Sequence, residues 1–468
     1  MATIGLPVAL QNLLTTSASM VDTMMIGSQG ETAVAAVGLC AQFSMLMMTA
    51  YYGFANGGTL FYAQCWGAKD EKGICRAYGL ALTCSMFFAL LFGAAAVLAP
   101  EFIRRIYTDT VVIQQAGLDY LRIIGFSFPF QVLAILMSSL LRSIEKVKVP
   151  LYASILSLVT NTFLNWVLIY GKFGFPALGV VGAAIGTLAA NIVNVAVLYL
   201  YCLRDKGSYL LRVRDHFRWN LPFVRQYFSK SMVIVANEAS MGVSQMLLNI
   251  IIGRQDESAI AALAVFRVLE GLVFAFFKGM TNAAAVIVGK QVGAGEHVGG
   301  YTDGKRFALY CPAITLGICL IMLPFRRQLL GIFGLGEQAL FYGMQMLLFY
   351  TAAATLRTCN WICNDCYRAG GDPVFGTVLE TIVVYCITIP ATALSGMVFH
   401  APFIVVFMCM YADDFGRLPI VLRHMQSGKW LKPVTPEGRA ALPAFHEEMR
   451  RHGHRFRKAA TPDERAGL

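Results

Sequence analysis

Asp22, in the stretch VDTMMIG, and Glu238, in ANEAS, are carboxylates set inside long apolar runs. At bilayer depth an ionised side chain is costly unless it is paired or faces water, so each is a candidate site for a cation or a proton. Asp22 lies near the outer end of its run and has a second reading as an interfacial helix cap. Glu238 lies nearer the middle, where that reading is weaker, and a Na⁺ at Glu238 is the one metal ion suggested. Arg267, Glu270 and Lys278 share another apolar run. Arg267 and Glu270 stand at i, i+3, where they can pair on one helix face. Arg357 is a buried cation placed to neutralise Glu238 or to meet an anionic substrate. Asn161 and Asn165, at i, i+4, suit either a contact between helices or a contact with substrate. Glu380 has no partner in this reading. Asn161, Asn165, Arg267, Glu270, Lys278 and Arg357 are the candidates for a substrate cavity, and Asp22 and Glu238 for ion coupling.

Enzyme chemistry finds no support. The chain has no His/Asp cluster at mid-span, no nucleophile elbow and no phosphate-binding Gly loop, and His216, His297 and His400 fall in loops or at ends. No catalytic residue and no cofactor are assigned. Cys359, Cys363 and Cys366 would share a helical face, but without a His or fourth Cys nearby they read as small hydrophobes, as do most of the twelve cysteines.

The elements that must position these residues are membrane helices. With 57% hydrophobic and 14% charged residues and a mean hydropathy of +0.60, the chain is too apolar for a soluble protein of 468 residues. Apolar runs of about 20 residues, each able to cross a hydrocarbon core of about 30 Å, recur along nearly its whole length. They place spans near residues 3–26, 33–63, 77–100, 113–141, 149–170 and 179–203. Six more fall near 229–253, 259–289, 306–325, 338–366, 374–396 and 400–422. No cleavable signal peptide is evident, and the chain begins almost on its first span, which leaves room for a short leader.

Two stretches repeat. IGSQGETAVAA from Ile26 returns 226 residues later as IGRQDESAIAA from Ile252, identical at seven of eleven positions. The register holds beyond it: Gly53 and Asn56 fall on Gly279 and Asn282, Gly67 and Ala68 on Gly293 and Ala294, Arg142 on Arg368, and Tyr52 on Lys278. Six plus six spans in this register make two co-oriented lobes related by an axis along the membrane normal. The expected units are an N-terminal lobe, 1–203, a linker, 204–228, a C-terminal lobe, 229–424, and a basic tail, 425–468.

Lys and Arg set the orientation. Lys69, Lys72, Arg76, Arg142, Lys146, Lys148, Lys290, Lys305, Arg306 and Arg368 fall on the side of the termini. The opposite loops hold only Arg104, Arg105, Lys172, Arg254, Arg326 and Arg327. Both termini are therefore expected in the cytoplasm, in a multi-pass protein of the plasma (inner) membrane. The net charge of +11 is spent on topology, so no nucleic-acid partner is expected. The Arg-rich link, interrupted by Pro222, reads as a hinge between lobes. The tail, with Arg450, Arg451, Arg455, Arg457 and Lys458, reads as lying on anionic membrane lipids or as a solvated segment. Gly53, Gly57, Gly58, Pro129 and Pro390 mark sites of bending or close helix contact. Phe43, Tyr51, Tyr52, Phe54 and Phe61 read as packing residues before they read as a lining for flat organic cations.

PVALQN, VDTMMIG, AVAAVG and AQCWGA, with LLRSIEKVKVP after the fourth span and YRAGGDPVF after the tenth, together resemble the multidrug and toxic compound extrusion (MATE) family of the MOP flippase superfamily. The resemblance covers nearly everything but the tail. It implies an all-α membrane protein of twelve transmembrane helices in two pseudo-symmetric six-helix lobes around a V-shaped cavity. It also implies antiport, with small-molecule organic cations or amphipathic drugs exported against inward H⁺ or Na⁺, by a monomer. Within it, Asp22 matches the first-helix Asp used in coupling and Glu238 the seventh-helix Glu of the Na⁺-coupled branch. Two positions depart: Arg357 stands where that branch has an Asp, and Asn165 where a proton-coupled branch has one. These departures favour H⁺ coupling through Asp22, with Glu238 second. A flippase for lipids or lipid-linked precursors is the alternative, should Arg267, Lys278 and Arg357 face the cavity unpaired.

Overall fold

The computed structural model describes residues 2–101, 103, 111–205 and 209–451, and within them the only regular secondary structure is helical. The N-lobe holds α1 (Ala2–Gly27), α2 (Glu31–Gly67), α3 (Glu71–Leu98), α4 (Val111–Ser143), α5 (Lys148–Tyr170) and α6 (Val180–Arg204). The C-lobe holds α7 (Leu221–Ile252), α8 (Glu257–Gly293), α9 (His297–Met322), α10 (Glu337–Gly370) and α11 (Pro373–Val398). It is completed by α12, made of Phe403–Cys409 and Ala412–Ser427, and a shorter helix, α13 (Pro436–Arg451), follows. The first twelve are the transmembrane helices, six to a lobe. Nine of them are apolar and long enough to span by composition alone. The other three are α2, α7 and α12, whose faces carry Asn56 and Gln64, Asn237 and Glu238, and Asp413, Asp414 and Arg417. Burial between protein surfaces, not lipid contact, accounts for that polarity.

Several helices reach further than hydropathy places them. α7 starts at Leu221 because the Asn220 side chain accepts from the Phe223 amide at 3.1 Å and Pro222 occupies its first turn, where a missing N–H costs nothing. Pro222 thus begins a helix, and the expectation that it interrupts a hinge is corrected. At Pro390 the regular α-helical hydrogen bonding is interrupted: π turns at Val384–Thr388 and Leu394–Val398 flank it. Arg104 and Arg105 of the expected outer loop, and Arg455, Arg457 and Lys458 of the tail, lie outside the described residues.

The repeat is visible as paired helix crossings. Gly53 of α2 lies against the Val235 backbone of α7, and its counterpart Gly279 of α8 lies against Ala9 of α1. One level along, Gly67 meets the Lys290 carbonyl and Gly293 meets the Gln64 carbonyl. Each contact maps onto the other by the 226-residue offset, and none leaves room for a Cβ. Small residues let these backbones meet across the lobe boundary, which is why Gly stands at all four positions.

These crossings close one end of the molecule. There Lys290 Nζ reaches Glu145 at 2.8 Å and 2.9 Å, and Gln64 Nε2 donates to the Ala369 carbonyl at 2.6 Å. The segment after α12 passes beneath this seam. Val434 N donates to Gln64 Oε1 at 2.8 Å, Lys432 N to the Gly370 carbonyl at 2.8 Å, and Thr435 Oγ1 to the Gly293 carbonyl at 2.8 Å. Trp430, Leu431, Phe445 and Met449 are buried with it. The described part of the tail is therefore a packed strap, which corrects the expectation of a solvated segment for these residues, while Arg450 and Arg451 stay exposed; apolar side chains at i, i+4 such as Phe445 and Met449 give α13 a face to bury. At the opposite end the lobes part: Met45 and Met246 are 63% and 64% exposed, and no hydrogen bond or ion pair among the described residues joins the lobes there.

Candidate functional site: a polar cavity between the lobes

A cavity of about 580 Å³ lies between the lobes, lined by α1, α2, α4, α5 and α6 on one side and by α7, α8, α10 and α11 on the other. Nine carboxamide side chains face it: Gln11, Asn12, Asn56, Gln131, Asn191, Asn194, Asn237, Asn282 and Asn364. They supply both donors and acceptors in every direction. Six ionisable side chains join them, Arg142, Glu238, Lys278, Asp365, Arg368 and Glu380, and Tyr52, Phe274 and Trp361 contribute aromatic surface. Buried or half-buried polar groups in this number require water or a polar solute as partner.

The wall repeats. In the N-lobe, Arg142 Nη1 donates to Gln11 Oε1 at 3.3 Å, and Gln11 Nε2 donates to Ser154 Oγ at 2.8 Å. In the C-lobe, Asn237, with its amide oriented to satisfy both neighbours, accepts from Arg368 Nη2 at 2.9 Å and donates to Glu380 Oε2 at 3.2 Å. The three positions correspond one to one by the repeat offset. Asn56 and Asn282 also correspond, and Asn56 Nδ2 crosses the boundary to Glu238 Oε1 at 3.3 Å.

Behind the C-lobe wall runs a connected ionic cluster. Arg417 Nη1 binds Glu380 Oε1 at 2.6 Å, and its Nη2 lies 3.1 Å from Asp414 and 3.5 Å from Asp413. Arg357 binds Asp414 through Nε and Glu270 through Nη1, each at 2.9 Å, and stands over the Tyr411 ring at 4.4 Å. Tyr411 donates to Glu270 Oε1 at 2.9 Å. Two pairings expected from the sequence, and one expected lack of a partner, are corrected here. Arg357 neutralises Glu270 and Asp414, not Glu238, because α12 brings its acids against α10 while Glu238 faces Asn56 in the other lobe. Glu270 accordingly does not pair with Arg267, which is exposed and donates to Asn249 Oδ1 at 2.7 Å. Glu380, expected alone, is held by Arg417. An unpaired charge so deep would cost more than the strain of gathering these partners.

The N-lobe keeps a smaller cluster off the cavity. Asp22 lies inside α1, five residues before its end at Gly27, so it is not a cap. Asn165 Nδ2 donates to Asp22 Oδ1 at 2.6 Å and to Asn161 Oδ1 at 3.3 Å, bridging α5 to α1. Of the residues expected in the cavity, Lys278 lines it, as does Glu238 from the coupling pair; Asn161, Asn165, Arg267, Glu270 and Arg357 do not. Lys278 lies 3.7 Å from Asp365 Oδ2 and 5.0 Å over the Trp361 ring. Cys359, Cys363 and Cys366 pack in an apolar cluster with Phe307 and Trp430. Arg142 and Arg368 were counted as topological charges and missed as lining residues. Their match across the repeat was the signal that could have found them.

A family model described as MatE matches residues 7–167 and again residues 234–394, once in each lobe. The chain is 20% identical over 411 residues to the "Uncharacterized transporter YisQ" of Bacillus subtilis (strain 168), covering 88% of this chain and 90% of that protein. It is 23% identical over 440 residues to the "Probable multidrug resistance protein NorM" of Thermotoga maritima, covering 92% of each. A solved structure described as the outward-facing conformation of a multidrug resistance MATE family transporter of the MOP superfamily superposes with a TM-score of 0.80. It shares 16% identity and the match covers 92% of this chain and 96% of that one.

Proposed function

Because the chain belongs to the MatE family of MOP-superfamily transporters, we propose that it is a secondary antiporter exporting small organic molecules, amphipathic cations among them, in exchange for H⁺ or Na⁺. The observation that carries this reading is the polar cavity between two repeat-related lobes, closed at one end by backbone contact and parted at the other. Such a cavity serves alternating access when the lobes rock about it. The lobes, 1–203 and 229–424, are the moving units, joined by the linker 204–228. The Lys and Arg distribution supports a reading in which the closed end and both termini face the cytoplasm across an inner membrane, and on that reading the state described opens outward.

Coupling falls to carboxylates that a cation or proton can reach. Asp22 has only carboxamide partners among the described residues, and so does Glu238. The acids of the ionic cluster already hold Arg357 and Arg417. We assign H⁺ coupling to Asp22 first and Glu238 second. One charge moving inward through about 100 mV releases about 2.3 kcal/mol, somewhat under two decades of solute gradient. The flippase reading loses its footing: Arg357 is paired and away from the cavity, Lys278 is paired, and Arg267 does not line it.

Purified protein in sealed proteoliposomes, loaded with ethidium as probe and given an imposed pH gradient or an imposed Na⁺ gradient in separate arms, tests the proposal. Uphill ethidium movement is expected with the pH gradient in Na⁺-free buffer and should vanish with a protonophore. Movement driven by Na⁺ alone would reassign the ion; no uphill movement in either arm would refute antiport.

A further inference from the structure

Glu145 and Lys290 make the one ion pair among the described residues whose partners belong to different lobes. Glu145 sits in the turn after α4, and Lys290 in the last turn of α8. Lys290 Nζ donates to both carboxylate oxygens, and Trp66 Nε1 donates to Oε2 at 3.4 Å, which aims the carboxylate at the seam. The repeat supplies a comparison. Lys290 corresponds to Gln64, whose Nε2 donates to the Ala369 carbonyl at the end of α10. Each lobe thus sends one long side chain from the end of its second helix to the end of the other lobe's fourth. Gln64 is fully buried and its tie is neutral. The Glu145 and Lys290 side chains are 35% and 41% exposed, within reach of water and salt.

The backbone also sets Glu145 apart. Its φ is +65°, a left-handed conformation that strains a residue with a Cβ, and its repeat counterpart Gly371 meets the same need as a glycine at φ +96°. A glycine at 145 would make the turn with less strain, so what Glu145 adds is its carboxylate. Lys69 shares the strain, at φ +58° with Gly295 as its counterpart, but no ion pair between described residues includes it.

We propose that the Glu145–Lys290 pair is an ionic latch on the closed end, released when the lobes rock, and that ionic strength on that side of the membrane tunes it. The proposal rests on the reading of alternating access and names the side chains that bias it. Both are positioning residues, since neither lines the cavity. An exposed pair adds little to folding. Two states close in free energy are nevertheless shifted severalfold by a contact present in only one of them. Breaking the latch therefore enlarges the population open at this end, and salt does the same by screening. Gln64, neutral and buried, gives no such response.

Spin labels on cysteines at Lys72 and Val298, both exposed near the closed end, in a background carrying Cys386→Ser, report this end by pulsed electron resonance in nanodiscs, with neither solute nor gradient. Glu145→Gln and Lys290→Gln are each expected to raise the ratio of long to short distances about three- to fivefold, the range an exposed pair commands. Reversing both charges, with Glu145→Lys and Lys290→Glu together, should restore the ratio. Raising KCl from about 0.05 M to about 0.5 M should shift the unaltered chain the same way and leave Glu145→Gln unmoved. Glu145→Gly separates the latch from the turn: it should raise the ratio without lowering the thermal midpoint. Lys69→Gly, which relieves the same strain, should leave the ratio alone. If ethidium and a pH step move the distance in the unaltered chain, but Glu145→Gln leaves the ratio unchanged or the reversed pair fails to restore it, the latch is refuted and the rocking stands. If the distance in the unaltered chain is fixed under every condition, the proposal falls with alternating access.

Discussion

Asp22→Asn is expected to abolish ion-driven export while leaving fold and solute binding intact. The substitution is isosteric, and the Asn carboxamide still offers an oxygen to Asn165 Nδ2, now 2.6 Å from Asp22 Oδ1. The bridge from α5 to α1 therefore persists. What disappears is the one ionisable group in that cluster, since Asn161 and Asn165 cannot titrate. Without it the N-lobe has no differential affinity for the ion in its two states, and an ion that binds both states equally shifts neither. Uphill ethidium movement in proteoliposomes should fall to background, whereas dye affinity in nanodiscs should stay within about twofold, because Asp22 does not line the cavity. Undiminished uphill movement would hand coupling to Glu238.

Arg417→Met should be the most destabilising single change in the C-lobe. Arg417 is 4% exposed and binds Glu380, Asp414 and Asp413 together. Methionine fills much of its volume but leaves three carboxylates facing one another with Arg357 as the remaining cation. Removing one partner from a buried ionic network costs about 3–5 kcal/mol, and here the loss reaches the cavity, because Glu380 also orients Asn237 beneath Arg368. Thermal unfolding of the purified protein should show a clearly lowered midpoint. Arg142→Gln, at a half-buried position with one neutral partner, should move it far less. A midpoint unchanged by Arg417→Met would mean the cluster does not hold α11 and α12 together.

The repeat was legible because it is a local property: seven identities in eleven residues and a register kept by Gly, Asn and Arg. Its meaning was only half legible. Gly53, Gly67, Gly279 and Gly293 were visible as matched glycines, but that each meets the backbone of the other lobe is a fact of tertiary approach. Arg142 and Arg368 carried two signals, topology and repeat, and the first obscured the second. The pairings of Arg357 failed for a different reason. Its acids, Glu270 and Asp414, lie 87 and 57 residues away, and no spacing rule spans such distances. α12 was the least readable helix because its Asp413, Asp414 and Arg417 dilute the hydropathy that marks a span. The strap from Lys429 to Arg451 was hidden by its charge; its buried side chains are few and its bonds to Gln64, Gly293 and Gly370 are made largely by backbone. The cavity's carboxamides escaped for want of charge, although Asn56 and Asn282 were already matched.

The central claim is that two lobes rock about one cavity so that its ends open in turn. Ser28 and Arg254 correspond across the repeat near the parted end, and Lys72 and Val298 near the closed end, all exposed. Spin labels on cysteines at each pair, in a background carrying Cys386→Ser, give two distance distributions by pulsed electron resonance in nanodiscs. On adding ethidium and stepping the pH, the Ser28–Arg254 distance should shorten in the same population in which the Lys72–Val298 distance lengthens. Two distances that stay fixed, or that change in the same direction, would contradict alternating access.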